Sequence, residues 1–233
     1  MASDRRAWRH DIWAVVPVKE TVLAKQRLAG VLTPRLRQDL ALAMFEDVID
    51  ALAGVPELCG IAVVTVDREV AEIARRYRAR IWTEGARAGH TGAVAAAARQ
   101  LRSNGATMLA MPGDVPLVSP ADISRVLRLH GDAPAFTIVP ARDERGSNMI
   151  VCSPADVVPL RFGADSFFPH LAAARAAGLT PTIVSNSAIA LDIDEPADLA
   201  AFMKHGSGTR SRTLLDRRRT EWDHMPAAVL EAP

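Results

Sequence analysis

Thr107-Met108-Leu109-Ala110-Met111-Pro112-Gly113-Asp114-Val115-Pro116-Leu117-Val118-Ser119-Pro120 decides how this chain is read. Residues 107–111 form a short apolar run of strand length, and Pro112-Gly113 ends it in a turn. Asp114 stands at that turn. After Pro116, Ser119-Pro120-Ala121-Asp122 starts a helix. In an α/β sheet, a strand ending in Gly-Asp presents its acid at the carboxyl edge, where such sheets bind ligands. An acid there can hold a divalent cation against phosphates. Gly-Asp is also ordinary turn chemistry, so Asp114 alone leaves both readings open.

The same rhythm extends upstream. Residues 12–18, Ile-Trp-Ala-Val-Val-Pro-Val, are a continuous apolar run, as expected of a central strand covered on both faces. Lys19, Lys25 and Arg27 follow just past its end. Cations there can meet a polyphosphate, or they can be solvated surface charges. The stretch has no glycine and no Gly-Lys-Ser/Thr, so it is not a Walker A loop. Thr33-Pro34 predicts a helix start, with Thr33 as N-cap and Pro34 in the first turn. Leu36, Leu40, Met44, Val48 and Leu52 then fall near one face, and Gly54 and Pro56 end the helix. Residues 61–66 predict a strand, Asp67 caps a short helix through Tyr77, and residues 80–82 predict another strand. Residues 83–92, punctuated by Gly85, Gly89 and Gly92, predict a flexible loop before a helix over 93–102. Such a loop can carry backbone N–H groups to a ligand, or it can simply connect strand to helix.

Downstream, residues 135–139 and 147–152 predict a hairpin-like strand pair around the charged turn 141–146. Ser166 is placed to cap a helix over 167–177 and to offer donors to an anion. Residues 182–184 predict a short strand. Asp192 and Asp194 lie at i and i+2 of an extended segment, so they point the same way and can converge on one metal. Pro196 begins the last helix of the core. We expect a nucleotide-binding domain over 11–204 and, over 205–233, a separate basic and flexible tail. Gly206-Ser207-Gly208 has linker composition, and Arg217-Arg218-Arg219 is a basic run.

Alternating strands and helices imply an α/β fold: a mostly parallel central sheet with helices on both faces. A chain of 233 residues that is 49% hydrophobic can bury a substantial single core. The 28 basic and 27 acidic residues leave a net charge of +1, which argues against nucleic acid or a membrane surface as partner. Cys59 and Cys152 have no CxxC spacing and read as buried thiols. The charged first ten residues carry no signal-peptide core, and no run approaches transmembrane length, so a cytoplasmic protein is expected. The six histidines are scattered, without ligand spacing, and read as surface or capping residues.

Asp114, Asp192 and Asp194 at two predicted strand ends form the main constellation. If they converge, they need a cation, and oxygen ligands suit Mg2+. With Lys19, Lys25 and Arg27 opposite, the chemistry suggested is nucleotidyl transfer. An acceptor phosphate attacks the α-phosphate of a nucleoside triphosphate and releases pyrophosphate. Positioning and charge neutralisation carry such a reaction, with no nucleophilic side chain.

The order of several short stretches resembles a known family. These are Pro17-Val18-Lys19, Ala24-Lys25-Gln26-Arg27-Leu28, Leu42-Ala43-Met44 with Asp47-Val48, Gly113-Asp114-Val115-Pro116, Phe162-Gly163-Ala164-Asp165-Ser166 and Asp192-Ile193-Asp194-Glu195-Pro196-Ala197-Asp198-Leu199. They fall as in the 2-phospho-L-lactate and phosphoenolpyruvate guanylyltransferases of deazaflavin coenzyme (F-420) biosynthesis. The resemblance implies a nucleotide-diphospho-sugar-transferase-like (glycosyltransferase-A-like) fold and Mg2+. It also implies GTP as donor and a small phosphorylated acid as acceptor: 2-phospho-L-lactate, phosphoenolpyruvate or 3-phosphoglycerate. By position it makes Asp114, Asp192 and Asp194 metal ligands. Asn148, Gly163 and Ser166 become acceptor-binding residues. Pro17, Val18, Lys19, Lys25, Gly89 and Gly113 become part of the nucleotide site, with Asp114 and Lys25 catalytic. Asn148 departs from the threonine of some relatives, and Thr91 from the asparagine of many. A molybdopterin nucleotidyltransferase would instead open on a Leu-Ala-Gly-Gly loop, where this chain has Val16-Pro17-Val18-Lys19. A non-catalytic nucleotide-binding module is a further alternative, and a homodimer is compatible with the composition.

Overall fold

The computed structural model describes residues 11–163 and 165–222. Its strands are β1 (Ile12–Pro17), β2 (Gly60–Val64), β3 (Arg80–Trp82), β4 (Thr107–Ala110), β5 (Ala135–Pro140), β6 (Ser147–Ser153) and β7 (Thr182–Ile183). They form one sheet in the order β3-β2-β1-β4-β6-β5-β7. All pairings are parallel except those of β6, which runs antiparallel to both β4 and β5. The expected mostly parallel sheet is therefore present, with the hairpin supplying the one reversed strand.

Side chains alternate across the sheet, and each face has its own helices. Ala14 and Val16 of β1, Val63 of β2 and Leu109 of β4 pack on one side. They meet Phe45, Val48, Ile49 and Leu52 of α1 (Pro34–Ala53), Val70 of α2 (Arg68–Arg76) and Ile123 and Val126 of α4 (Pro120–Leu129). Val15, Val64 and Met108 face the other way, onto Val94, Ala97 and Leu101 of α3 (Gly89–Arg102). Phe136, Ile138 and Ile150 pack on Phe167 and Leu171 of α5 (Phe167–Ala176). Full burial of each large side chain contributes roughly 1.5–3 kcal/mol, so these faces hold the helices in place. The starts follow local chemistry. Thr33 accepts from Leu36 N, Asp67 from Glu69 N and Val70 N, and Ser119 with Asp122 forms a capping box.

Four expectations change, three of them local. The glycine-punctuated stretch is shorter as a loop, because α3 already begins at Gly89. Gly85 lies against Gly92 O, where a Cβ would come within 2.5 Å, so these glycines serve a close approach of turn to helix. Asp192 to Asp194 lie outside any strand, between α6 (Ser187–Ala190) and α7 (Pro196–His205), and Ile193 N donates to Asp114 O at 3.1 Å. Cys59 is exposed, and only Cys152 is buried.

The flexible tail is the largest correction. As far as Trp222, residues after His205 are folded: α8 (Arg210–Arg217) packs on α1. Leu215 and Trp222 join Leu36, Leu40, Met44, Leu199 and Phe202 in an apolar cluster. The basic residues pair with acids: Arg210 with Asp50 at 3.0 Å and Arg218 with Asp39 at 2.5 Å. The tail beyond Trp222 and the charged first ten residues lie outside the described residues. Among the described residues, no helix is long and apolar enough to cross a membrane.

Candidate active site

The carboxyl ends of β1 and β4 open into one cleft, at the position where α/β sheets bind ligands. The segment after β1 crosses its mouth in two 3-10 turns, Thr21–Leu23 and Gln26–Leu28. Thr21 N and Oγ1 both donate to Asp67 Oδ2 at 2.7 Å, which pins the segment to the start of α2. Between the turns Lys25 takes a left-handed conformation (φ 54°), costly for a residue with a Cβ and tolerated at functional sites. That bend delivers Lys25 Nζ to Asp114 Oδ2 at 2.6 Å and Asp194 Oδ1 at 2.7 Å. Burial favours the neutral amine, but the charges of Asp114 and Asp194 outweigh it and raise the Lys25 pKa.

Of the three aspartates expected around one metal, Asp114 and Asp194 here share the Lys25 ammonium. Among the described residues, no group of three or more His, Cys, Asp or Glu side chains is placed to hold a metal. Lys25 occupies the space between Asp114 and Asp194, because two crowded carboxylates require a positive charge near them. Asp192 lies deeper. Burial, then the charge of Asp114, pushes its pKa up to about 6, against a hydrogen bond from Asn148. Asp114 Oδ1 is buried and has no hydrogen-bond partner. A spare buried carboxylate oxygen among oxygen-only donors fits a hard divalent cation.

On the α3 side, Pro17, Val18, Lys19, Gly89 and His90 line a small recess continuous with the cleft. Gly113 lies where a Cβ would meet Phe45 and Val18 at 3.4 Å. The His90 ring lies tilted against Phe162, with centroids 4.3 Å apart, and its buried Nε2 has no partner. Burial lowers its pKa to about 4, so the ring is neutral. The Thr91 hydroxyl accepts from Phe162 N at 2.9 Å and donates to Phe162 O at 3.2 Å. In this chain Thr91 therefore holds the loop of Phe162 and Gly163.

On the β6 side lie Asn148, Gly163 and Ser166. Asn148 Nδ2 donates to Ile189 O, Ala190 O and Asp192 Oδ1 within 3.0–3.1 Å. This nitrogen is committed to placing Asp192. Gly163 has φ 147°, where a side chain would be strained. Ser166 precedes α5 without capping it; its hydroxyl donates instead to Ser147 Oγ at 3.1 Å. Arg145 forms a two-pronged pair with Asp165 at the rim, and Arg142 pairs with Asp198. Sequence reasoning missed Ser147, His170, Arg142 and Arg145, and it read His90 as a surface or capping residue. The one available signal was spacing: His170 stands four residues after Ser166, one helical turn away.

The model of the family described as "Guanylyl transferase CofC like" matches residues 12–228. A phosphoenolpyruvate guanylyltransferase of Rubrobacter xylanophilus is 37% identical over 84% of this chain and 95% of its own length. A 2-phospho-L-lactate guanylyltransferase of Methanothermobacter thermautotrophicus is 32% identical over 88% of this chain and 90% of its own. Among solved structures, a putative nucleotide-diphospho-sugar transferase from Desulfovibrio desulfuricans G20 superposes with a TM-score of 0.72. It is 18% identical and is matched over 91% of this chain and 96% of that one. It shares the fold, which is therefore the nucleotide-diphospho-sugar-transferase-like one. With a family model matching residues 12–228 and relatives above 30% identity over more than four-fifths of the chain, this protein belongs to the CofC-like guanylyl transferase family.

Proposed function

We propose that this chain transfers GMP from GTP to the phosphate of a small phosphorylated carboxylic acid and releases pyrophosphate, with Mg2+ as cofactor. One observation carries the reading: the Lys25 ammonium clasped by Asp114 and Asp194, beside an Asp114 oxygen with no partner. An acceptor phosphate oxygen bonds to the α-phosphorus of GTP. The bond from that phosphorus to the bridging oxygen breaks, and pyrophosphate leaves with its electron pair. Lys25 supports this by holding positive charge where phosphate oxygens accumulate negative charge. The recess of Pro17, Val18, Lys19 and Gly89, with Gly113 in the adjoining cleft, takes the nucleotide side. Ser166, Gly163 and the segment carrying Asn148 take the acceptor.

Acidic side chains outnumber basic ones along the cleft, eight to five, so two anionic substrates need an added cation. Asp114, Asp192 and Asp194 would hold it. Bound there, Mg2+ would neutralise charge on the reacting phosphates.

The acceptor is 2-phospho-L-lactate, phosphoenolpyruvate or 3-phosphoglycerate, the acids guanylylated on the way to coenzyme F-420. The test is pyrophosphate release with each acid separately, with GTP, ATP or CTP as donor, with and without Mg2+. Turnover confined to GTP, Mg2+ and one acid is the expected outcome. Tight GTP binding without turnover on any of them would instead make the chain a nucleotide-binding module.

A further inference from the structure

Beneath the acceptor side of the cleft runs a buried line of polar atoms. Arg161 N lies 2.9 Å from His170 Nε2, His170 Nδ1 lies 3.0 Å from Ser147 Oγ, and Ser147 Oγ lies 3.1 Å from Ser166 Oγ. His170, Ser166 and Ser147 are 1%, 4% and 8% exposed, so the line is shielded from bulk water except where the serines meet the cleft. Ser147 and Ser166 both border the cleft.

The hydrogens along this line can be counted. A backbone N–H only donates, so Arg161 N–H requires a lone pair on His170 Nε2. A buried ring in that position is neutral and carries its hydrogen on Nδ1, and burial indeed lowers its pKa to about 4. Nδ1–H then donates to Ser147 Oγ. The two serine hydroxyls have two hydrogens and share one contact, which consumes one of them. The second is left over, and the open direction is the cleft. The opposite tautomer gives a different count. With the hydrogen on Nε2, Ser147 would have to donate to Nδ1 and Ser166 to Ser147, leaving no hydroxyl hydrogen for a ligand.

We infer that His170 is a positioning residue of the acceptor site: held by Arg161 N–H as the Nδ1–H tautomer, it frees one hydroxyl hydrogen of the Ser147–Ser166 pair to bond an anionic oxygen of the acceptor. Ser147 thereby joins Ser166 as an acceptor-side residue. This rests on the guanylyltransferase reading for the identity of the ligand, but the hydrogen count does not depend on it.

The same ring also ties down the loop that leads to Gly163, so the test must separate the two roles. Asparagine places its amide near the Nδ1 position, and glutamine reaches the Nε2 position. His170→Asn keeps a donor toward Ser147 and loses the Arg161 contact. His170→Gln keeps the Arg161 contact and loses the donor. By filling a Ser147 lone pair, Nδ1–H also fixes the direction of the spare hydrogen, so His170→Gln is expected to raise the acceptor KM about tenfold, the worth of one hydrogen bond to a charged group, with the GTP KM unchanged. His170→Asn should recover most of that loss. The reverse order would show loop anchoring alone and overturn the inference, and so would equal rises in both KM values. Imidazole 15N spectra of the whole protein give a reading that needs no turnover. A neutral Nδ1–H ring at pH 7, whose signals move on adding phosphoenolpyruvate and not on adding GTP alone, is expected. An Nε2–H ring, an imidazolium or unmoved signals would overturn the proposal even if turnover were found. Absence of turnover with this ring behaviour intact would count against the reaction and not against the relay.

Discussion

Asp47, on α1, and Asp114, in the turn after β4, are both acids drawn partly or wholly out of solvent, and their surroundings differ in one respect. Asp47 accepts from Arg210 N at 2.8 Å, Ser211 N at 3.0 Å and Ser211 Oγ at 2.6 Å, so both of its oxygens are occupied. Asp114 gives one oxygen to Lys25 and leaves the other buried and bare. Asp47 closes a joint, since its partners all come from the start of α8 and nothing further fits. Asp114 is left open, in a cleft rich in like charges. A carboxylate whose lone pairs are filled by the fold serves the fold, and one left unfilled at a sheet edge serves a ligand.

The largest effect that can break this contrast is on the open acid. Asp114→Asn preserves shape and removes one charge, so it should lower the pyrophosphate-release rate by about 10²–10³-fold, a loss typical of electrostatic groups at reacting centres. The thermal midpoint should stay close to that of the wild type. Near-normal turnover would remove Asp114 from the chemistry. The mirror experiment is Asp47→Ala. It strands two backbone N–H groups and a hydroxyl, and it should cost about 3 kcal/mol of unfolding free energy by denaturant titration. Turnover at temperatures where the variant is folded should not change. A cost below about 0.5 kcal/mol, the level of an ordinary surface substitution, would mean that the α1–α8 joint bears little of the stability.

Acid sharpens the contrast, because the two regions respond in opposite directions. His90 and His170 beside the cleft have pKa values lowered from 6.5 to about 4 by burial. A depressed histidine contributes stability that is fully present above 6.5 and drains away as pH falls toward 4. Each ring accounts for up to roughly 3 kcal/mol. Burial raises the Asp47 pKa despite the bonds from Ser211 and Arg210, so its protonated form is favoured on folding. That term is most favourable below about 3.8 and is lost as pH rises through the folded value. Unfolding titrations between pH 6.5 and 4 should show His170→Asn losing less stability than the wild type. Equal slopes would mean that the His170 ring already takes up its proton in the folded protein.

Much of this was legible in the sequence, for local reasons. The β1 and β4 runs, the Thr33-Pro34 and Ser119-Pro120 starts and the Asp67 cap are written in neighbouring residues, and the structure forms all of them. The position of Asp114 at a strand end was equally local. Lys25 between Asp114 and Asp194 was not, since its contacts span 89 and 169 residues and follow from a left-handed bend that no glycine announces. Ser147 and His170 are unremarkable in composition, and only the meeting of β6 with α5 joins them. The Arg-rich segment after His205 reads as solvated for the same reason. Its charges look unpaired until α1 presents Asp39, Asp47 and Asp50 along one flank.

The smallest predicted effect asks whether the two regions are separate at all. Thr209 Oγ1 accepts from Arg212 N at 3.0 Å and donates to Gly206 O at 2.9 Å, joining the end of α7 to the start of α8. Thr209→Ala should cost about 1 kcal/mol, the usual worth of an N-cap, with kcat and both KM values unchanged. There is a physical route by which this could fail. Met44 of α1 borders the cleft and also belongs to the apolar cluster that Leu215 of α8 completes. Close-packed interiors transmit strain, so a loosened α8 would reach the cleft through Met44. If Thr209→Ala lowered turnover about tenfold at full folding, the α8 joint would be setting the cleft's shape, and the division between filled and unfilled acids would describe their bonding but not their work. Unchanged kinetics would leave α8 as a brace behind α1, and the chemistry confined to the sheet edge.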